Sequence, residues 1–335
     1  MTFGPGGLIF AAAAALSYGL LLGLMPLLTR YAVAKPNARS SHRTPTPQGG
    51  GIAVIAATVI AGAAAAMILQ ANEMPALAIV FLAAAGLALV GALDDRRPME
   101  PAPRLLLQAV AVIAVIAALP PEMKIVPASP WWLDRMVMLV GGIWLINVVN
   151  FMDGIDWMTV AEIVPVTAGL AVLGWMGALP ASAAIVAAAL CGAMVGFAPF
   201  NKPIARLFLG DVGSLPVGLL LGWMLVLLAG RGHLAAALLL PLYYLADATI
   251  TLIRRTARGE RITQAHRSHF YQRALDGGYS VYQIVGRVFA LNILLAALAV
   301  ATIVKSSSAL GVICLLAGIV LVGLALWSFA RAASK

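Results

Sequence analysis

Charge is what this sequence has least of. Of its 335 residues, 10% are Asp, Glu, Lys or Arg, where soluble globular chains carry roughly a quarter. Combined with 62% hydrophobic residues and a mean hydropathy of +0.97, this excludes a water-soluble domain, which could not hide so much apolar surface. Cysteine is scarce too. Cys191 and Cys314 both fall inside long apolar runs, so they indicate packing and no disulfide framework. Alternation of polar and apolar residues is missing, which argues against barrel strands. A cationic leader is also missing, and the first apolar run, Gly6 to Leu28, is long enough to stay as a span.

What is present is a succession of apolar runs of roughly 17–25 residues, the length a helix needs to cross a bilayer core of about 30 Å. They predict an all-α polytopic membrane protein, one integral membrane domain over residues 1–335, with ten or eleven helices. The spans fall at about 6–28, 50–69, 76–93, 104–120, 136–150, 160–178, 181–198, 214–229, 234–253, 284–303 and 309–330. With the N-terminus outside and the C-terminus cytoplasmic, all but four of the 22 Lys and Arg sit in cytoplasmic loops or at their edges. The exceptions are Lys124, Arg135, Arg231 and Lys305. The net charge of +9 therefore reports membrane orientation, and nucleic acid is not expected as a partner.

The cytoplasmic loops, 29–49, 94–103, 151–159, 199–213 and 254–283, carry nearly all the side chains capable of chemistry. In the first, Arg39, His42 and Arg43 suit phosphate, Pro45 and Pro47 stiffen the chain, and Gly49 to Gly51 permit close backbone approach. Read alone, this loop is a positive-inside anchor with a turn. Asp94 and Asp95 end the third span and face the negative end of a helix dipole, so they require a cation. Arg96 and Arg97 would supply it as a solvated cluster; a divalent metal would supply it as a ligand site.

Asn147, Asn150, Asp153 and Asp156 recur every three residues and share one side of a helix or distorted turn. They are costly in an apolar hairpin without partners, which favours a ligand site over an interhelical clasp. Asn201 to Ser214 place Asp211 between Gly210 and Gly213, with Phe208 at the membrane edge. The last loop gathers Arg254, Arg255, Arg258, Arg261, His266, Arg267, His269 and Arg273, suited to phosphate or to anionic lipids. Asp247, inside the ninth span, reads either as functional or as an interior hydrogen-bond partner. His233 carries no assignment.

In this order the five segments resemble the polyprenyl-phosphate N-acetylhexosamine-1-phosphate transferases, of glycosyltransferase family 4 type. The resemblance covers residues 38 to 275 through His42-Arg-Thr-Pro-Thr-Pro-Gln-Gly-Gly50, Asp94-Asp95, Asn147-x-x-Asn-x-x-Asp-Gly-Ile-Asp156, Asn201 to Phe208-Leu-Gly-Asp-Val-Gly-Ser214, and His266-Arg-Ser-His269. It implies a cytoplasmic cleft in the cell inner membrane, often in a homodimer, that binds a UDP-N-acetylsugar and undecaprenyl phosphate amid membrane lipids.

The same resemblance implies magnesium (manganese as an alternative) on Asp211, and Asp94 and Asp95 serving the metal or the acceptor phosphate. Asn150, Asp153 and Asp156 would line the nucleotide site, with Phe208 near the uracil and His266, Arg267 and His269 on phosphate oxygens. Two departures stand out. His-Arg-Ser-His replaces the common His-x-His-His and looks closest to enzymes that start O-antigen or similar surface glycans. Trp157-Met158 stands where many members have Gly-Leu. Rival readings are a transporter or lipid flippase, which would place broken helices and charges near the midplane, and a membrane diphosphatase with the same metal chemistry.

Overall fold

The computed structural model describes residues 3–34, 45–71, 73–261, 266–305 and 307–332. Helices α1 (Phe3–Tyr31), α2 (Gly51–Ile68), α3 (Met74–Arg96), α4 (Pro101–Ala117), α5 (Trp131–Met152), α6 (Met158–Trp175) and α7 (Ala181–Phe197) form the first part. Then come α8 (Asp211–Gly230), α9 (Leu234–Leu239), α10 (Leu242–Ala257), α11 (Phe270–Asp276), α12 (Val281–Val304) and α13 (Ser308–Ala332). Eight are long and apolar enough to cross a membrane, and α4 and α7 are shorter apolar helices. The chain is an all-α polytopic membrane protein, with a single two-residue strand pair, β1 (Val33–Ala34) and β2 (Thr46–Pro47), among the described residues.

Prolines set several helix starts, where a missing N–H leaves no intrahelical bond unmade. Pro101 is the first residue of α4, and Pro130 and Pro180 immediately precede α5 and α7. Helix α5 consequently begins at Trp131, earlier than the expected 136. The expectation stopped at the charged pair Asp134-Arg135, but Asp134 is buried and accepts hydrogen bonds from the backbone N–H of Ile125 and Val126, each at 3.0 Å.

The expected ninth span is not continuous. Helix α9 stops at Leu239 and α10 starts at Leu242, with Pro241 between them. Proline cannot donate to the preceding turn and its ring clashes with the carbonyl there. A second unforeseen element is α11, a short helix inside the last long loop.

Helix α8 is the hub. Its most apolar window is 94% buried, against 22% for α1 and for α13, so α8 is central and those two lie at the periphery. It packs on α2, α3, α5 and α9. Deep in the bundle, Asn292 of α12 donates to Glu162 of α6 at 2.6 Å, a buried pair that periodicity alone did not reveal.

Small residues bring the helix ends together at α8. A Cβ on Gly91 of α3 would overlap the backbone carbonyl of Asp211, and one on Gly51 of α2 would overlap the backbone of Gly213. Gly86, on the same helix as Gly91, has open space around it. Gly91→Val should therefore cost about 1–3 kcal/mol through overpacking, lowering the melting temperature in detergent, whereas Gly86→Val should leave it nearly unchanged. Equal effects of the two substitutions would contradict this packing.

Candidate active site

The first turn of α8 has N–H groups with no partner inside the helix. Asp95, reaching across from the end of α3, accepts from the N–H of Asp211 at 3.0 Å through Oδ1 and from Val212 at 3.2 Å through Oδ2. Gly210 precedes with φ of +76°, and a side chain there would meet Asp95 Oδ2. The carboxylate thus sits on the positive end of the α8 dipole. Gln48 Nε2 donates to the Asp95 carbonyl at 2.9 Å and ties the first loop to the same point.

Asp94 turns the other way. Its Oδ1 accepts from Met99 N at 2.5 Å and its Oδ2 from Arg104 Nη1 at 2.9 Å. The same Nη1 lies 3.8 Å from Asp211 Oδ2. Arg104, four residues into the first turns of α4, is therefore the cation between the two acids; Arg96 and Arg97, expected in that role, are exposed. A helix-edge arginine ten residues downstream gave no periodic signal of that pairing. Asn150 donates to Asp211 Oδ1 at 2.7 Å and to Ser214 Oγ at 2.9 Å, fixing the Asp211 rotamer.

Among the described residues, no three His, Cys, Asp or Glu side chains converge closely enough to cage a metal ion. Magnesium does not need such a cage, because it binds through one or two carboxylates and completes its shell with water and substrate phosphates. Asp94 and Asp211, both directed at Arg104, fit that donor set.

The polar series from Asn147 divides. Three residues advance a helix by 300°, so successive members point about 60° apart. Asn147 donates to Gln108 of α4 at 2.6 Å and to the Ile143 carbonyl at 2.8 Å, which is an interhelical clasp. Asn150 faces α8. Asp153 and Asp156 lie beyond the end of α5, in the turn before α6. The Thr159 hydroxyl donates to Asp153. Burial, with the negative charges of Asp95 and Asp156, pushes the Asp153 carboxyl up to about 6, and the Thr159 hydrogen bond opposes this.

Asp156 and Asn201 brace one loop against another. Asp156 Oδ2 accepts from Ala205 N at 3.0 Å, and Asn201 accepts from Trp157 N at 2.8 Å while donating to the Leu207 carbonyl at 3.0 Å. Trp157 adopts φ of +62°, a left-handed conformation that favours glycine. Its indole compensates by donating to the Ala198 carbonyl at 2.7 Å and meeting Tyr282 edge-on at 6.0 Å. Phe208 is half-buried, and its backbone pairs with Pro47 and Gly50, both at 2.9 Å, so the first and fourth motifs form one backbone unit.

In the last loop, Asp247 is fully buried and is an interior partner. It accepts from Phe270 N at 3.1 Å, Tyr271 N at 3.4 Å, and the Tyr243 and Thr251 hydroxyls at 3.3 Å each. His269 Nδ1 lies 3.2 Å from the same carboxylate. The His269 ring stacks on Tyr271, at 5.8 Å, and meets His266 at a tilt, at 4.9 Å. Burial keeps the Tyr271 phenol protonated far above its usual range, and it donates to the Phe151 carbonyl at 3.4 Å beside Gly154. Arg267 pairs with Asp276 at 2.9 Å. The loop is thus joined to the end of α5.

Arg39, His42 and Arg43 lie outside the described residues. Of the others, Asp94, Asp95, Asp211 and Asn150 come together directly, and Asp153 stands close enough to Asp95 to feel its charge. The residues that sequence reasoning missed are Arg104, Gln48, Gln108 and Ser214. Asp95→Ala should strip the α8 terminus of its acceptor and cost about 1–3 kcal/mol, read as a lower melting temperature, with Asp95→Asn recovering part of the loss. An unshifted melting curve for Asp95→Ala would overturn the capping role.

Comparison with known proteins gives consistent relatives. A decaprenyl-phosphate N-acetylglucosaminephosphotransferase of Mycolicibacterium smegmatis is 28% identical over 314 residues, covering 82% of this chain and 76% of that protein. A probable undecaprenyl-phosphate N-acetylglucosaminyl 1-phosphate transferase of Bacillus subtilis is 26% identical over 282 residues, covering 78% and 76%. A phospho-N-acetylmuramoyl-pentapeptide-transferase of a Synechococcus species is 34% identical over 174 residues, covering 50% and 48%. Residues 77–229, which run from α3 through α8 and hold the Asp94, Asn150 and Asp211 cluster, match the glycosyl transferase family 4 profile.

Proposed function

We propose that this protein is a phosphotransferase that moves N-acetylhexosamine 1-phosphate from a UDP-sugar to a polyprenyl phosphate in the membrane. The observation that carries the reading is the convergence of Asp94, Arg104, Asp211 and Asn150 at one end of an apolar bundle. The relatives named for this reaction support it. The Lys and Arg asymmetry supports a cytoplasmic position for this end. UDP-GlcNAc or a related UDP-N-acetyl deoxysugar is the proposed donor, undecaprenyl phosphate the proposed acceptor, and initiation of O-antigen or a similar surface glycan the proposed role.

A phosphate monoester has a second pKa near 6, so the acceptor is largely dianionic at neutral pH and needs no strong base. An acceptor oxygen attacks the β-phosphorus of the donor. The bond from that phosphorus to the bridging oxygen breaks, and UMP leaves with the oxygen. The barrier lies in bringing two anions together, so positioning and charge neutralisation dominate. Bound magnesium would neutralise the diphosphate and the leaving group, held by Asp211 with Asp94.

Asn150 keeps Asp211 in one rotamer, and Arg104 offsets the two acids until anionic substrate arrives. Both carboxylate oxygens of Asp95 are fixed on α8 backbone amides, whereas Oδ2 of Asp94 is held by the Arg104 side chain, which can swing away to an anionic substrate, so Asp94 is the acid assigned to orient the acceptor. The broken span at Pro241 and the buried Glu162–Asn292 pair are features a transporter would share. Asp94, Asp95, Asp153, Asp156 and Asp211 gather at one end of the bundle, which favours surface chemistry.

Purified protein given UDP-GlcNAc, undecaprenyl phosphate and magnesium should release UMP and form a lipid-linked sugar, with no release when any one is omitted. Asp211→Asn should lower the rate by at least about a hundredfold at an unchanged melting temperature. Normal turnover by Asp211→Asn would overturn the metal assignment. Failure of the folded wild type with every UDP-N-acetylsugar would overturn the reaction.

A further inference from the structure

The end of α10 and the described part of the last loop line an open cavity of about 310 Å³. Five arginines line it, Arg254, Arg255, Arg258, Arg267 and Arg273, together with buried Thr251. It shares no residue with the Asp94–Arg104–Asp211 cluster. Ion pairs to acids are formed by Arg255 with Glu260 at 2.7 Å and by Arg267 with Asp276 at 2.9 Å. The two acids are 42% and 56% exposed and lie at the rim, so positive charge dominates the interior.

Clustered guanidinium groups recognise phosphate through bidentate forks. A cavity of this size exceeds one water's share of volume, about 30 Å³, by roughly tenfold, and has room for a phosphate or diphosphate. A phosphomonoester carries about −1.5 to −2 charges at neutral pH, a closer match to five arginines offset by two acids than the single charge of a phosphodiester head group. The surroundings indicate how the phosphate arrives. On the adjoining face of α10, Ile250 and Ile253 are 39% and 62% exposed, so the cavity borders an outward apolar surface. A phosphate on a lipid reaches such a border without leaving the bilayer. From the cavity wall, the Thr251 hydroxyl donates to Asp247, which also holds His269. The occupant thus sits beside the framework of the carboxylate cluster and outside the cluster itself.

We propose that the arginine cavity is a holding site for the phosphomonoester end of a prenyl lipid at the membrane surface, separate from the Asp94–Asp211 cluster. The choice of a prenyl lipid rests on the transferase reading above; the phosphate chemistry does not.

The test uses the full chain in nanodiscs of neutral phosphatidylcholine, with binding of a prenyl phosphate, the parent prenol, inorganic phosphate and UMP measured separately. Arg258→Gln combined with Arg273→Gln should raise the Kd for prenyl phosphate by at least about tenfold and leave UMP affinity unchanged. The double Lys variant, which keeps the charge and loses the forks, should recover only part of the binding, and melting temperatures should match. If the double variant does not fold, Arg258→Gln alone, at an exposed side chain, should show the same direction. An unchanged Kd in the Gln variant overturns the proposal. So does a parallel loss of UMP binding, which assigns the cavity to the nucleotide. Prenol binding as tightly as prenyl phosphate, or inorganic phosphate binding equally well, also overturns it. Arginine-dependent binding of prenyl phosphate in a protein that releases no UMP supports the site while overturning the transferase reading.

Discussion

The unpaired N–H groups at the start of α8 are the point on which the rest of the site depends. Packed against α2 and α3 such groups need a partner, and leaving a buried one bare costs about 1–3 kcal/mol. Asp95 meets two of them from another helix. This resolves a second difficulty, since a carboxylate at the end of α3 is disfavoured by its own helix dipole. Placed against the opposite pole of α8, the same charge is stabilised by hydrogen bonds of about 1.5–3 kcal/mol each. Gly91 and Gly51 permit the approach, because any side chain there would strike the α8 backbone. Two local liabilities cancel in one contact.

From that contact the polar residues separate into two kinds. Asp95, Asn147, Asp156, Asn201 and Asp247 have their polar atoms in hydrogen bonds that join one element to the next. Asp94 and Asp211 instead face Arg104, and Asn150 holds Asp211 through its other carboxylate oxygen. A buried carboxylate beside a guanidinium has its desolvation cost offset by charge and hydrogen bonding together. The pairing holds the two acids near each other.

The bracing residues also explain the departure at Trp157. The turn after α5 places that position in the left-handed region, where glycine is free and a tryptophan is strained by about 1 kcal/mol. The indole hydrogen bond to Ala198 and the contact with Tyr282 offset the strain. This protein therefore uses a large side chain to hold together what a glycine would merely allow. The neighbouring ladder from Thr251 through Asp247 and His269 to Tyr271 links the last loop to the same turn.

Hydropathy and length determined that the chain crosses a membrane as helices, because an apolar run of that length has no other stable state there. Residue type singled out Asp94 and Asn150, because a carboxylate or amide is costly in such a setting without a partner, and the order of the motifs, through the family they resemble, singled out Asp211. Sequence could not say which partner each one finds. Asn147 meets Gln108, Asp95 meets the α8 amides, and Asp94 meets Arg104 in place of Arg96 or Arg97. Nor did periodicity reveal the break at Pro241 or distinguish bracing acids from those facing Arg104. Burial cost is a property of one residue in its solvent and is legible along the chain. Hydrogen-bond partnership is a property of two residues brought close, and only helix packing decides which two they are.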